Sequence, residues 1–225
     1  MNPNVVASSV AAEGRPHADV ASRVEELGRA AVALARLLGG AVFLTADEAR
    51  EAAEVLEGIC PTEFSVQQSA VEDFAHGWNE ERTLFLGPVP PVSLEESVYK
   101  PWTEDPSHPL RGARGLAHGD PARHMERILK NFGMALHAES LQSPDHVAVL
   151  LEFLAFLLEE RSLQEAAAFC KDHLDWMPAL GAALKDDGRG VAVLKLVKAV
   201  ESLIETIVER MKSEAVLSNV RNVRI

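Results

Sequence analysis

The chain has 225 residues, 47% of them hydrophobic, and a formal net charge of −12. A chain of this length forms one domain, or at most two, and buries roughly 70% of its unfolded surface without a disulfide or metal staple. Its 34 acids against 22 bases repel a phosphate backbone, so nucleic acid is excluded as a partner, whereas a basic partner is attracted at long range. Cys60 and Cys170 stand in no metal-ligand spacing and read as free thiols of a reducing compartment. No cationic start precedes an apolar block, and no apolar run is long enough to span a bilayer, so a cytoplasmic protein without stable membrane insertion is expected.

The readable segments carry the 3.6-residue period and none alternates with period two, which predicts an all-α bundle of about eight or more helices. Residues 1–18, small and polar, read as a disordered tail, followed by one helical domain over 19–225. A first stripe on Val20, Val24, Leu27, Ala31, Leu34 and Leu38 stops at Gly39-Gly40. Thr45-x-x-Glu48 is a capping box that opens a helix ending near Gly58 and Pro61, and a further helix runs from about Ser65 to Trp78. Between about Glu81 and Gly119 the period lapses, because six of the 12 prolines and four of the 14 glycines fall there. A connection this long is uncommon in a compact domain and is functional or disordered; the apolar content of Leu84 to Trp102 favours a packed, functional loop.

Asp120 is expected as N-cap of the next helix, with Pro121 at its first position. The same grammar recurs in S-P-D-H-V-A-V-L-L-E-F, residues 143–153, with Ser143 as N-cap, Pro144 first and Asp145 second in the helix. Ser162-x-x-Glu165 is another capping box, its helix carrying Phe169, Cys170 and His173 before Met177-Pro178 ends the regularity. A long last helix follows Gly190 on Val193, Leu196, Val200, Leu203, Ile207 and Met211.

Catalytic signatures are thin. No nucleophile elbow, phosphate loop, dinucleotide fingerprint or paired-histidine metal motif occurs, so no cofactor and no metal site is expected. Asp145 at a helix start reads either as a carboxylate favoured by the helix's positive end or as a binding group. His146 is disfavoured there as a cation, which points to a neutral, hydrogen-bonding ring. Tyr99, Trp102 and Trp176 read either as loop packing or as aromatic anchors of a peptide groove. An alternative from another class is a small helical hydrolase holding a metal with Asp145, His146 and Glu152.

Three blocks, in order, resemble the TorD/DmsD/NarJ family of chaperones for molybdenum oxidoreductases. They are L-F-L-G-P-V-P-P-V-S-L-E-E-S-V-Y at 84–99, P-D-H-V-A-V-L-L-E-F-L-A-F-L at 144–157 and F-C-K-D-H-L-D-W-M-P at 169–178. The resemblance spans residues 20 to 211. It implies an all-helical cytoplasmic chaperone that binds the N-terminal leader, often a twin-arginine signal, or the apo form of a molybdenum oxidoreductase catalytic subunit until its cofactor is inserted. It also implies that Asp145 and His146 form the leader-binding pair, with Pro144 starting their helix. Gly87, Pro88, Pro91, Ser97 and Tyr99 then form the loop wall of the groove, while His173 and Trp176 are structural; Trp102, beyond the matched block, is counted with the partner-binding residues as a loop aromatic. A monomer or a dimer exchanging helices across the long loop is compatible with this fold.

Overall fold

A computed structural model describes residues 15–39, 43–85, 90–136 and 142–222, with side chains placed from 22 to 216 within those ranges. Among the described residues the chain forms nine α-helices and no strand: α1 (Arg15–Gly39), α2 (Ala46–Glu57), α3 (Gln68–Glu81), α4 (Glu96–Tyr99), α5 (Asp120–Asn131), α6 (Val147–Glu160), α7 (Leu163–His173), α8 (Met177–Asp187) and α9 (Val191–Asn222). A 3-10 turn, Arg82–Phe85, extends α3. The all-α expectation holds. Because α1 begins at Arg15, the tail boundary at residue 18 falls inside a helix; residues 1–14 lie outside the described residues.

The centre of the bundle is α6, apolar on nearly every side: Val147 to Leu151, Phe153 to Ala155, Leu157 and Leu158 are all buried. A helix without a polar face is stable only when neighbours cover it all round, and α1 and α7 do so. The long α9 packs across α1, α3, α7 and α8, placing Val193, Leu196, Val200, Leu203 and Ile207 in the same core. Helix α9 is capped from a distance. The Glu81 carboxylate accepts from the Val191, Ala192 and Val193 amides at 2.9, 2.7 and 3.2 Å, placing negative charge at the helix's positive end and satisfying amides that have no partner within the helix.

Both expected capping boxes are present, Thr45 with Glu48 and Ser162 with Glu165. Two other helix starts differ from the sequence reading. Helix α5 begins at Asp120 with Gly119 as N-cap. Helix α6 begins at Val147 with His146 as N-cap, so Ser143, Pro144 and Asp145 precede the helix rather than form its first turn. The reason is a turn in which the His146 amide donates to the Ser143 carbonyl at 3.0 Å, leaving Asp145 free to point inward. The segment after Met177-Pro178 is also not irregular: Pro178 occupies the first turn of α8, where a missing amide proton costs nothing, and the helix ends at Gly188 in the left-handed conformation (φ 74°).

No described helix is long and apolar enough to cross a membrane.

Candidate functional site: a bridged loop and an acid-rimmed groove

The stretch Leu94–Ser97 of the long connection lies against Asp145–Val147 as a single antiparallel bridge between Glu95 and His146. The Glu96 amide donates to the Asp145 carbonyl at 3.1 Å and the Val147 amide to the Leu94 carbonyl at 2.9 Å. Side chains alternate across such a bridge. Leu94, Glu96, Asp145 and Val147 are buried, while Glu95 and His146 stand together on the outer face, half-buried.

The inward acids are fully engaged. Asp145 is 0% exposed; its Oδ2 accepts from the Ser97 amide at 2.8 Å and from the Ser97 hydroxyl, and its Oδ1 accepts from the Ser143 hydroxyl at 2.5 Å. Ser97 Oγ in turn accepts from the Gly119 amide at 3.0 Å, so one carboxylate ties together the loop, the start of α5 and the entry to α6. Only glycine fits at 119, since a Cβ there would lie 2.7 Å from the Trp102 carbonyl oxygen. Glu96, equally buried, meets Lys100 Nζ at 2.7 Å and His173 Nδ1 at 2.9 Å. Lys100 also reaches Asp175 Oδ1 at 2.7 Å. Burial opposes the charge on Lys100, but Asp175 and Glu96 together hold its pKa above the ordinary lysine value.

These contacts revise the roles expected for individual residues. Asp145, read as an exposed helix-start carboxylate or a direct binding group, is an internal tether. Its neighbour His146 accepts from the Ala148 amide on Nδ1 at 3.2 Å, which puts the proton of a neutral ring on Nε2. Burial pushes the His146 pKa down to about 4, against the attraction of Asp145, so the neutral ring expected from the sequence is the form that this site favours. For Glu95 the shift is upward, through burial first and then the charge of Asp145, with His118 acting the other way.

Loop residues expected to line a groove are largely occupied within the fold. Val92 and Leu94 are in the core. Tyr99 stacks on Trp176 with ring centroids 5.0 Å apart and donates its hydroxyl to the Ser93 carbonyl at 2.8 Å; burial raises its pKa to about 12. Trp102 donates Nε1 to the Ala117 carbonyl at 2.9 Å beneath the Arg123 guanidinium. Pro91 is exposed and Pro144 half-buried, while Gly87 and Pro88 lie outside the described residues. His173, stacked between His124 and Phe169, and Trp176, donating Nε1 to the His173 carbonyl at 2.8 Å, are internal supports. Asp145, His146 and Glu152 do not converge: the first points inward, the second outward, and Glu152 is exposed farther along α6. No group of three metal-ligating side chains occurs among the described residues.

Beyond the C-terminal half of α6 lies a feature that the sequence reading missed. A groove of about 850 Å³ runs between α1, α2 and α6, within the size range of ligand sites. Its floor is apolar, with Val24, Val32, Leu37, Val55, Ala155 and Leu158, and its rim carries Glu25, Glu48, Glu51 and Glu159 against Arg29 and Arg36. Arg36 is partly neutralised by Glu48 at 3.2 Å. Val32 is 54% exposed, although it interrupts a charged helix face. In the sequence Glu48 reads as a capping-box partner, and Glu51 and Glu159 carry no signal beyond a polar helix position; only the packing of α1, α2 and α6 reveals the rim that they share with Glu25.

Residues 46–186 match the family described as nitrate reductase delta subunit. A stretch of 86 residues is 30% identical to the chaperone protein TorD of Photobacterium profundum, covering 33% of this chain and 40% of that relative's length. The fold is also similar, with a TM-score of 0.49 and 17% identity over 88% of this chain and 99% of the other, to a crystal structure from Archaeoglobus fulgidus assigned as a redox enzyme maturation protein. With more than half its length matched by the family profile, the chain belongs to the nitrate reductase delta subunit family, the TorD/DmsD/NarJ group of redox enzyme maturation chaperones.

Proposed function

We propose that this protein is a cytoplasmic, non-enzymatic chaperone that binds the N-terminal leader, or the apo form, of a molybdopterin-dependent oxidoreductase subunit and holds it for cofactor insertion, assembly and export. The observation that carries this reading is the acid-rimmed apolar groove of α1, α2 and α6 on a chain of net charge −12. A leader that combines arginines with an apolar segment matches both halves: apolar side chains are desolvated on the floor, and guanidinium groups meet carboxylates at the rim. The groove takes over the apolar contact expected of the 84–102 loop, since that loop turns Val92 and Leu94 into the core. The loop and the α6 entry form a second contact region near His146.

Isothermal titration with leader peptides of molybdoenzymes encoded beside its gene tests the reading. Micromolar or tighter binding is expected, weakening as salt rises from about 50 to about 300 mM and falling about tenfold in Val32→Arg, which adds a positive charge to the groove floor. Failure of every leader to bind, or binding indifferent to both salt and Val32→Arg, would overturn it.

A further inference from the structure

Helix α9 outruns the bundle. Its buried positions end at Ile207, and Met211 is the last described residue packed against the core. Beyond it Lys212, Ser213, Glu214, Ala215 and Val216 are all exposed, Val216 at 61%. Five consecutive residues go round the helix more than once, so none of its faces is covered there by the described residues, yet the backbone stays helical to Asn222. A helix end without tertiary cover draws little stability from propensity alone, and it is favoured when a second surface receives it.

The sequence of this end is opposite in charge to the chain as a whole. In K-S-E-A-V-L-S-N-V-R-N-V-R-I, residues 212–225, Lys212, Arg221 and Arg224 stand against the single acid Glu214, on a chain of net charge −12. Val216, Leu217 and Val220 recur at the i, i+1, i+4 spacing of one helix face. Lys212, four residues before Val216, and Arg221, four after Leu217, fall at its two edges.

The groove between α1, α2 and α6 has the complementary pattern. Val24, Gly28 and Val32 follow one another in successive turns of α1 along it, with open space over Gly28, and four glutamates stand on its rim against two arginines, one of them paired with Glu48. An apolar stripe edged by bases fits an apolar floor edged by acids, as in a helix laid into a groove. Because α9 is one continuous helix that leads away from the bundle beyond Met211, its end does not turn back onto the α1–α2 surface of its own chain.

We infer that the end of α9, from Lys212 onward, docks in the groove of a second copy of this chain, the exchange being reciprocal about a two-fold axis. The docked end covers the apolar floor while no client is present, and the helix end and a leader exclude each other. That exclusion rests on the leader reading of the groove; the docking itself does not.

The test is sedimentation velocity of the full chain from about 5 to about 200 µM, at about 50 and about 300 mM salt. A concentration-dependent dimer is expected, weaker at the higher salt. Two full-length variants each break one side of the contact. Val216→Asp sets an acid on the exposed helix end, where the rim repels it, and Val32→Arg sets a base on the floor at a position 54% exposed. Each is expected to weaken the dimer about tenfold or more, with an unchanged unfolding temperature. An equimolar mixture of the two should associate more tightly than either alone, since one contact is then intact and the other sets the new acid against the new base. A parent that stays monomeric, a dimer that either variant leaves unchanged, or a mixture no tighter than its components overturns the docking. Leader calorimetry on the same proteins separates this inference from the proposed function. Leader binding to a chain that never dimerises rejects the docking and leaves the chaperone reading standing; a dimer that responds to both variants while no leader binds keeps the docking and rejects the leader. With both present, leader is expected to dissolve the dimer, and a dimer that persists with leader bound overturns the exclusion.

Discussion

Replacing Asp145 distinguishes a tether from a contact residue. In Asp145→Ala three donors lose their acceptor: the Ser97 amide, the Ser97 hydroxyl and the Ser143 hydroxyl. The two hydroxyls can rotate toward other acceptors, but the amide of Ser97, a residue 0% exposed, cannot. One stranded buried amide costs about 1–3 kcal/mol and the two weakened hydroxyl bonds about 1 kcal/mol each, so a total near 4 kcal/mol is expected. That corresponds to a drop of about 8–16 °C in unfolding temperature for a chain of this length. Asp145→Asn is far milder. Its amide oxygen can keep the Oδ2 place opposite the Ser97 amide, while its NH2 takes the Oδ1 place and donates to a Ser143 hydroxyl that turns to accept. Only the charge assistance is lost, about 1 kcal/mol. Urea and thermal unfolding followed by circular dichroism measure both variants. If Asp145→Ala costs less than about 1 kcal/mol, or if Asn is as damaging as Ala, the tether is not what that carboxylate provides.

Other substitutions probe the remaining supports. Glu81→Ala, removing the remote cap of α9, is expected to lower stability by about 2 kcal/mol, read by urea unfolding; a loss under about 0.5 kcal/mol would show that the cap is dispensable. His146 has its folded pKa lowered to about 4 from an ordinary 6.5. The unfolded chain therefore takes up the proton first, and stability contributed by the neutral ring is full above pH 6.5 and is lost as pH falls toward 4, by about 3 kcal/mol. His146→Asn, which keeps a capping side chain, should flatten that part of the stability profile. Glu95, raised, acts in the opposite direction in both proteins and cancels in the difference. Gly119→Ala should destabilise by more than about 2 kcal/mol because its Cβ meets the Trp102 carbonyl at 2.7 Å, whereas Gly28→Ala, in open space within α1, should stabilise by about 0.5–1 kcal/mol; thermal unfolding of the pair reads both signs.

The helices were legible wherever a local signal sufficed. Capping boxes at Thr45 and Ser162 place their helices correctly because both partners lie within one turn of chain. Errors arise where the deciding partner is distant. Ser143 and Pro144 look like a helix start, yet Asp145 is drawn inward by Ser97, 48 residues earlier, and this leaves His146 to cap α6. Likewise, α8 hid behind a proline that breaks a helix in its middle but is tolerated in its first turn. At the candidate site, Asp145, His146 and Ser97 were recognisable by resemblance; Asp145 and Ser97 do meet, whereas His146 turns to the opposite face of the bridge. Glu95 was not recognisable, because a bridge of one residue pair is too short to show period two, and the groove was not, because Val32, Val55 and Leu158 share no sequence window.

The most direct test of the account is photo-crosslinking of the full chain with a leader peptide carrying a benzophenone in its apolar segment, with adducts mapped by mass spectrometry. Adducts on α1 between Val24 and Leu37 and on α2 between Glu48 and Val55, abolished by excess unlabelled leader, are the predicted result. Competed adducts confined to the α8 and α9 face, away from the groove, would contradict it.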